Sequence, residues 1–399
     1  MVWTHEVLAV ATAGEPELRA WSDLGERAAD PNPYFEPTVL VPAARHLDRR
    51  GALQLLVVAD GDGWRAALPF EPAERRRALR GRTSTGGSLL GFVSPYGNPL
   101  VHDEDTARGV EQLVQALLAR HQELGGLVDL VHVDGASRTG RALLGALDGL
   151  GVPHRTWDQF SRGALETPDG RPVDALAALS RSRRRSLQRS RRALERELGD
   201  GLRTVWATDA DAVERFLALQ AAGWKGTPAR GGQALLLHRS TAAWFRALAE
   251  GAGDQLRVLE VWCGADLLYS GTALVRGSRS FLLLDAFDER WARASVGSWG
   301  QVLMASELSA QGFSVDSCTD PRDYPVNTSL YPHRRELRSM TCAVGSRAER
   351  LLFGGLDRAL TARRAVIERA RRLTSRAAAA LHAVLLPVLS EVPCVVVVV

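Results

Sequence analysis

The feature that most constrains this 399-residue chain is a pattern that occurs twice. Leu53 to Ala59, the turn Asp60-Gly61-Asp62-Gly63 and Trp64 to Phe70 read as a hairpin, two apolar runs around a short glycine-containing turn. A glycine-containing loop, an amphipathic helix over Asp105 to Leu124 and an apolar strand over Leu127 to Val133, ending at Asp134, follow it. The same order returns about 200 residues later. Leu256 to Trp262 and Leu267 to Val275 flank the turn Cys263-Gly264-Ala265-Asp266; then come a strand over Phe281 to Ala286, a glycine loop, a helix over Trp299 to Gln311 and a strand over Phe313 to Ser317. A repeated hairpin, loop, helix and strand predicts two related α/β units rather than one large sheet. Identity between the copies is negligible, so the repeat lies in the pattern alone.

The best boundary is Ser161 to Pro172, with two prolines and two glycines in twelve residues. The expected organisation is a degenerate N-terminal unit over 1–165, a second unit over 166–345, and a helical extension with an apolar tail over 346–399. Within the first unit, Leu89 to Leu100 reads as a strand broken by a tight loop, and Thr156 to Phe160 as a short strand. Within the second, Pro172 to Leu198 reads as one long helix. Charged residues make up 24% of the chain and apolar content is ordinary, which excludes a disordered chain. The N-terminus lacks a basic segment followed by an apolar run, so a cytoplasmic protein is expected. The four cysteines show neither a CxxC pair nor metal spacing, and no metal is expected. The run from Ala377 to Val399 follows an arginine-rich stretch. It leaves three readings open: a docked helix with a loose tail, peripheral membrane contact, or an anchor.

The net charge of +4 is concentrated. Seven arginines and no acid fall between residues 181 and 192, on a helix with a leucine stripe along another face. Guanidinium forks suit phosphate oxygens, so Arg184, Arg185 and Arg189 are candidates for binding a phosphate-bearing ligand; a solvated basic face is the alternative. Lys225 is the only lysine in the sequence and sits in Gly223-Trp224-Lys225-Gly226-Thr227, a glycine-flanked loop that makes Trp224 and Lys225 binding candidates. Between Ala286 and Gln301 a strand enters a loop that opens a helix. Backbone amides there, around Ser295, Gly297, Ser298 and Gly300, can hold a pyrophosphate with the help of the helix dipole. Asp285, Asp288 and Asp316 stand at strand ends flanking that pocket, and Tyr324 lies just beyond.

Leu219 to Thr227, then Ala243-Trp244-Phe245-Arg246, the second hairpin, Ser295-Val296-Gly297-Ser298 and Phe313-Ser314-Val315-Asp316 together resemble the Fem-like branch of the GNAT superfamily of acyltransferases. More narrowly they resemble the acetyltransferase-like proteins of bacterial exopolysaccharide and cell-envelope clusters. The resemblance covers about residues 50 to 340. It implies two tandem GNAT-like domains, with mixed central sheets flanked by helices, and a C-terminal helical extension. It also implies N-acylation of an amine on a sugar, peptide or envelope precursor by acyl-CoA. Two alternatives stay open: an aminoacyl-tRNA-dependent peptidyl ligase, and a non-catalytic scaffold of the same fold. Asp285 or Asp316 would take the ammonium proton, and Tyr324 would protonate the leaving group. The sequence departs from the family pattern in two places. Val296 replaces the proline of a Ser-Pro-Gly loop, and Arg293 stands four residues before Gly297 rather than three.

Overall fold

Both predicted hairpins form, and each is closed by two residues. Asp60 pairs with Gly63 between β2 (Gln54–Asp60) and β3 (Gly63–Pro72), and Cys263 with Asp266 between β9 (Leu256–Cys263) and β10 (Asp266–Arg276). Gly264 has φ 55°, which a tight turn of this length requires and which costs glycine nothing. The structure, a computed structural model, describes residues 2–72, 82–199, 201–209 and 211–355.

The other strands are β1 (Thr4–Ala9), β4 (Arg82–Ser84), β5 (Leu100–Val101), β6 (Leu127–Val133), β7 (His154–Leu165), β8 (Leu202–Ala207), β11 (Arg279–Phe287), β12 (Ser314–Asp316) and β13 (His333–Ala343). The repeat is real at the level of topology. Each copy runs hairpin, third strand, helix, parallel strand, last strand. The parallel pairs are β4 with β6 and β11 with β12.

The last strands are exchanged. β7, from the first copy, pairs with β12 of the second; β13, from the second, pairs with β6 of the first; and β7 and β13 pair with each other. One thirteen-stranded sheet therefore runs through both copies, and residues 1–345 form one compact unit. The expectation of two separate sheets is corrected by this exchange. The proposed boundary begins inside β7, which is twelve residues long rather than five.

The copies also share a core. Tyr34 is buried edge-on to Phe281 at 5.9 Å, and its hydroxyl donates to the Leu282 carbonyl at 3.3 Å. Arg276 of β10 forms an ion pair with the buried Glu36.

Two local readings differ from the structure, and one strand was not anticipated. The segment read as a broken strand contains a short helix, Leu90–Val93, before β5. The long helix breaks at Ser180, whose hydroxyl accepts from the Arg183 amide and caps a basic helix over Arg181–Leu198; Ala175–Ala178 is a separate turn. Strand β13 had no reading, because His333-Arg334-Arg335-Glu336 carries charge where an apolar run is expected. In the C-terminal extension, residues 347–355 are helical, and its remaining expectations lie outside the described residues.

Candidate active site

β11 is nine residues long but pairs with β12 only at Arg279, Ser280 and Phe281. Beyond that point the two parallel strands part. The register of β10 against β11 shifts between Thr272 and Ala273, leaving Leu283 as an extra, bulged residue. The result is a cleft of about 670 Å³ in the middle of the sheet, a size that suits a cofactor-sized ligand. One wall is the open edge of β11, Leu282 to Asp285. The other is the chain leaving β12, Ser317 to Asp320, with Pro95, His132 and Phe160 from the first copy.

The floor of the cleft is the start of a central helix, Val296–Ala310. Its first α-helical bond outside the cap runs from the Trp299 amide to the Ser295 carbonyl at 3.1 Å. The amides of Val296, Gly297 and Ser298 therefore precede the ladder and carry the positive end of the dipole. Ser295, Gly297 and Ser298 line the cleft. Gly300 does not. A Cβ there would meet the Tyr269 ring at 2.4 Å, so Gly300 is small because the helix packs on β10. Its amide lies within the helical ladder.

Among the described residues only three non-glycines have positive φ: His132 at 56°, Ser295 at 57° and Cys318 at 53°. All three line this cleft. Such conformations cost of order 1–3 kcal/mol each and cluster where function over-determines the backbone.

Lys225 and Asp285 meet here. The lysine Nζ donates to the Asp285 carbonyl at 2.7 Å and lies 3.4 Å from its Oδ1; Gln301 Nε2 donates to Oδ2 at 2.7 Å. The Trp224 amide donates to Glu289 Oε1, which pins the loop beside the end of β11. A Cβ on Gly226 would stand 1.8 Å from the Ala221 carbonyl oxygen, so this glycine is required by close packing. Trp224, Lys225, Asp285 and Tyr324 all line the cleft, Tyr324 at its rim with 48% exposure. Lys225 does not bridge to the basic helix; its partner is Asp285.

Asp316 is brought to the same region but not into the cleft. It is 1% exposed and lies between Arg162 and Arg335; Nη2 of Arg162 donates to it at 2.8 Å, and Nη1 of Arg335 forms an ion pair with it at 3.1 Å. Burial alone would raise its pKa; the two guanidiniums outweigh that and hold it below the usual carboxylate range. Substrate cannot reach a carboxylate so enclosed, so the expectation of Asp316 as a base is replaced by a structural role. Its Oδ1 accepts from the Cys318 amide at 2.9 Å, which helps hold the strained Cys318. Burial pushes the Cys318 thiol up to about 12. A thiol so shifted is not a nucleophile at neutral pH.

The arginines of the basic helix stand apart from the cleft. Arg185 and Arg189 share a surface groove with Arg181 and Arg192, and Arg184 donates to the Ala177 carbonyl at 3.2 Å. No ion pair engages Arg181, Arg185, Arg189 or Arg192 among the described residues. Sequence reasoning missed His132, Phe160, Arg162, Tyr269 and Gln301. Strand exchange brings the first three to this site, and no local pattern marks it.

Residues 181–324 match the family model described as an acetyltransferase (GNAT) domain. This stretch is similar to GNAT acetyltransferase domains. It runs from the first residue of the basic helix to Tyr324, so it contains the parted strands, the central helix and the Lys225 loop. Two solved structures extend the likeness over most of the chain. The crystal structure of FemX shares 10% identity at a TM-score of 0.53, covering 86% of this chain and 97% of that one. A conserved protein of unknown function from Bacteroides thetaiotaomicron VPI-5482 shares 12% at a TM-score of 0.51, covering 82% and 97%. At these identities the likeness is one of fold, and it includes the first copy, which the GNAT family model does not reach. No curated protein matches the sequence. The GNAT domain supports acyl transfer as the general chemistry.

Proposed function

We propose that the protein is an N-acyltransferase that moves an acyl group from acyl-CoA, acetyl-CoA first among them, to an amine on a sugar, peptide or cell-envelope precursor. One observation carries this reading: a parted pair of parallel strands ending over the free amides of a helix start. Ser295, Gly297 and Ser298 would hold the donor pyrophosphate. The donor arm would lie along the edge of β11 beside the bulge at Leu283. Placing both substrates in one cleft supplies much of the rate by positioning.

Lys225 and Gln301 both engage Asp285, so its carboxylate anchors the open edge and the Lys225 loop. The Tyr324 hydroxyl at the rim would protonate the leaving thiolate.

Calorimetry and thermal unfolding with acetyl-CoA, CoA and charged tRNA test this. A ligand at 100 times its dissociation constant adds roughly 2.7 kcal/mol of apparent stability. Stabilisation by acetyl-CoA and CoA is expected, and its absence overturns the donor assignment. A second reading, an aminoacyl-tRNA donor, is favoured by the guanidiniums of Arg181, Arg185, Arg189 and Arg192, which no ion pair engages among the described residues. Stabilisation by charged tRNA alone would replace acyl-CoA with it. A response to neither would support the scaffold reading.

A further inference from the structure

We propose that the chain has a second binding site, between the basic helix and the central helix, for a free amphiphile that joins an apolar chain to a phosphate. The site goes beyond the acyl-transfer reading and does not depend on it. Among the described residues, none lines both this site and the cleft.

The central helix has two lined faces. Gly297, Gln301 and Met304 line the cleft, whereas Trp299, Leu303 and Ser306 line a separate cavity of about 360 Å³. At about 100° per residue, positions two apart stand about 200° apart, so the two sets point away from each other. Leu187, from the leucine stripe of the basic helix, closes the cavity together with Leu176 and Val302. The volume lies in the range of small-molecule sites, and aliphatic walls suit a hydrocarbon chain. The Trp299 side chain is 5% exposed, and its buried indole N–H has no hydrogen-bond partner among the described residues. A buried donor left unpaired is costly, and an oxygen of a ligand would satisfy it.

The mouth of the cavity is cationic. Gln188 and Arg192 line both the cavity and the basic groove that holds Arg181, Arg185 and Arg189. The acids beside the cavity are already engaged: Glu195 pairs with Arg191 at 3.1 Å, and Asp174 Oδ1 accepts from the Leu176 amide at 2.8 Å. The charge left over is therefore positive, and guanidinium forks match phosphate oxygens. An apolar chamber joined to a cationic groove through two shared residues matches a ligand built the same way.

A bilayer matches less well. A helix that lies on a membrane presents exposed apolar side chains beside its basic ones. The basic helix instead buries Leu187 and Leu194, and the large exposed apolar residues, such as Phe92, Trp157 and Leu352, line neither the cavity nor the groove. Nucleic acid would engage the arginines through its phosphates but leave the apolar cavity and the Trp299 N–H unfilled. The ligand is therefore a molecule that arrives free in solution.

The test uses the full chain and dodecyl phosphate below its micelle concentration, read by calorimetry and by the indole N–H signals in nitrogen NMR spectra. Trp299→Phe assigns the signal among the ten tryptophans. Saturable binding of one dodecyl phosphate per chain is expected, with a downfield shift of the Trp299 N–H. Inorganic phosphate and uncharged dodecyl maltoside each carry half of the chemistry and should bind at least about tenfold more weakly. Replacing the exposed Arg185 and Arg189 together by glutamine should weaken binding about tenfold. Leu303→Trp, which fills the cavity and leaves the charge alone, should do the same or more. Trp299→Phe should weaken it at least about threefold. If Leu303→Trp fails to fold, the arginine variant and the wild-type NMR signal still decide. Equal affinity in the wild type and the arginine variant, or a Trp299 signal unmoved at saturation, would overturn the proposal. Vesicles of phosphatidylglycerol or charged tRNA binding to the basic helix while dodecyl phosphate does not would overturn it too, in favour of a membrane or a nucleic acid. No reading here involves acetyl-CoA, so failure of this site and failure of the donor assignment are seen separately.

Discussion

Arg162 on β7 and Arg335 on β13 are direct register partners on neighbouring antiparallel strands, 1% and 6% exposed, and they share the carboxylate of Asp316. Like charges directly opposite one another destabilise a sheet. The pair stands only because Asp316 is placed between them, with Asp134 3.8 Å and Glu166 3.3 Å from Arg335. This cluster lies on the strands that the two copies exchange, so it ties the exchange to the cleft.

Removing Asp316 should therefore be costly. Asp316→Asn leaves two buried guanidiniums without their shared anion, and a loss of about 3–5 kcal/mol is expected in denaturant unfolding. The double variant Arg162→Leu with Asp316→Leu should recover part of it, which a double-mutant cycle measures. The pH dependence has a definite sign. The folded pKa is depressed, so the stabilisation is present above the unfolded carboxylate range and is lost as pH falls through the lower folded value.

His132 works in a different pH window. Its folded pKa, about 4, lies below the ordinary imidazole value, so the unfolded chain binds the extra proton first. Stability should be complete above about pH 6.5 and fall as pH drops toward 4, by at most about 3 kcal/mol. Melting curves of the wild type and His132→Asn over this window should converge at the acid end.

Gly297 and Gly300 should separate binding from packing. Gly300→Ala drives a methyl into the Tyr269 ring and should cost about 1–3 kcal/mol of stability. Its effect on acetyl-CoA affinity should be small. Gly297→Val, at the helix start inside the cleft, should lower that affinity at least about tenfold; a Cβ there also meets the Phe287 ring at 2.9 Å, so a comparable change in unfolding accompanies it. Equal effects on binding from the two variants would contradict the assignment of the donor loop.

Lys225→Arg asks whether any cation suffices. The ammonium approaches both the carbonyl and the carboxylate of Asp285 as a compact charge. A planar guanidinium does not reproduce that approach. A loss of about tenfold in kcat/KM is expected, with melting temperature nearly unchanged. Full activity would show that charge alone is required.

Much of the site was legible one segment at a time. Ser295, Gly297 and Ser298 follow a strand and open a helix, and that order is written locally. Trp224 and Lys225 stand out through flanking glycines and an unrepeated lysine. Gly300 was misjudged because glycine in a helix start reads the same whether it admits a ligand or a tyrosine ring. Arg185 and Arg189 carry the right chemistry for phosphate, but side-chain chemistry does not say which cavity a helix faces.

Local sequence determined the elements: two hairpins from apolar alternation around glycine turns, a basic helix from its leucine stripe, and a repeat from the order of these parts. Tertiary structure alone decided that the last strands change places. That exchange buries Arg335 in a strand that reads as polar, turns Asp316 from a candidate base into the bond between two arginines, and carries His132 and Phe160 to a cleft opened by the other copy. The physical reason is that strand pairing and charge compensation are long-range. A buried arginine is tolerable only beside its acid, and that acid may be more than 150 residues away, as Asp316 is from Arg162.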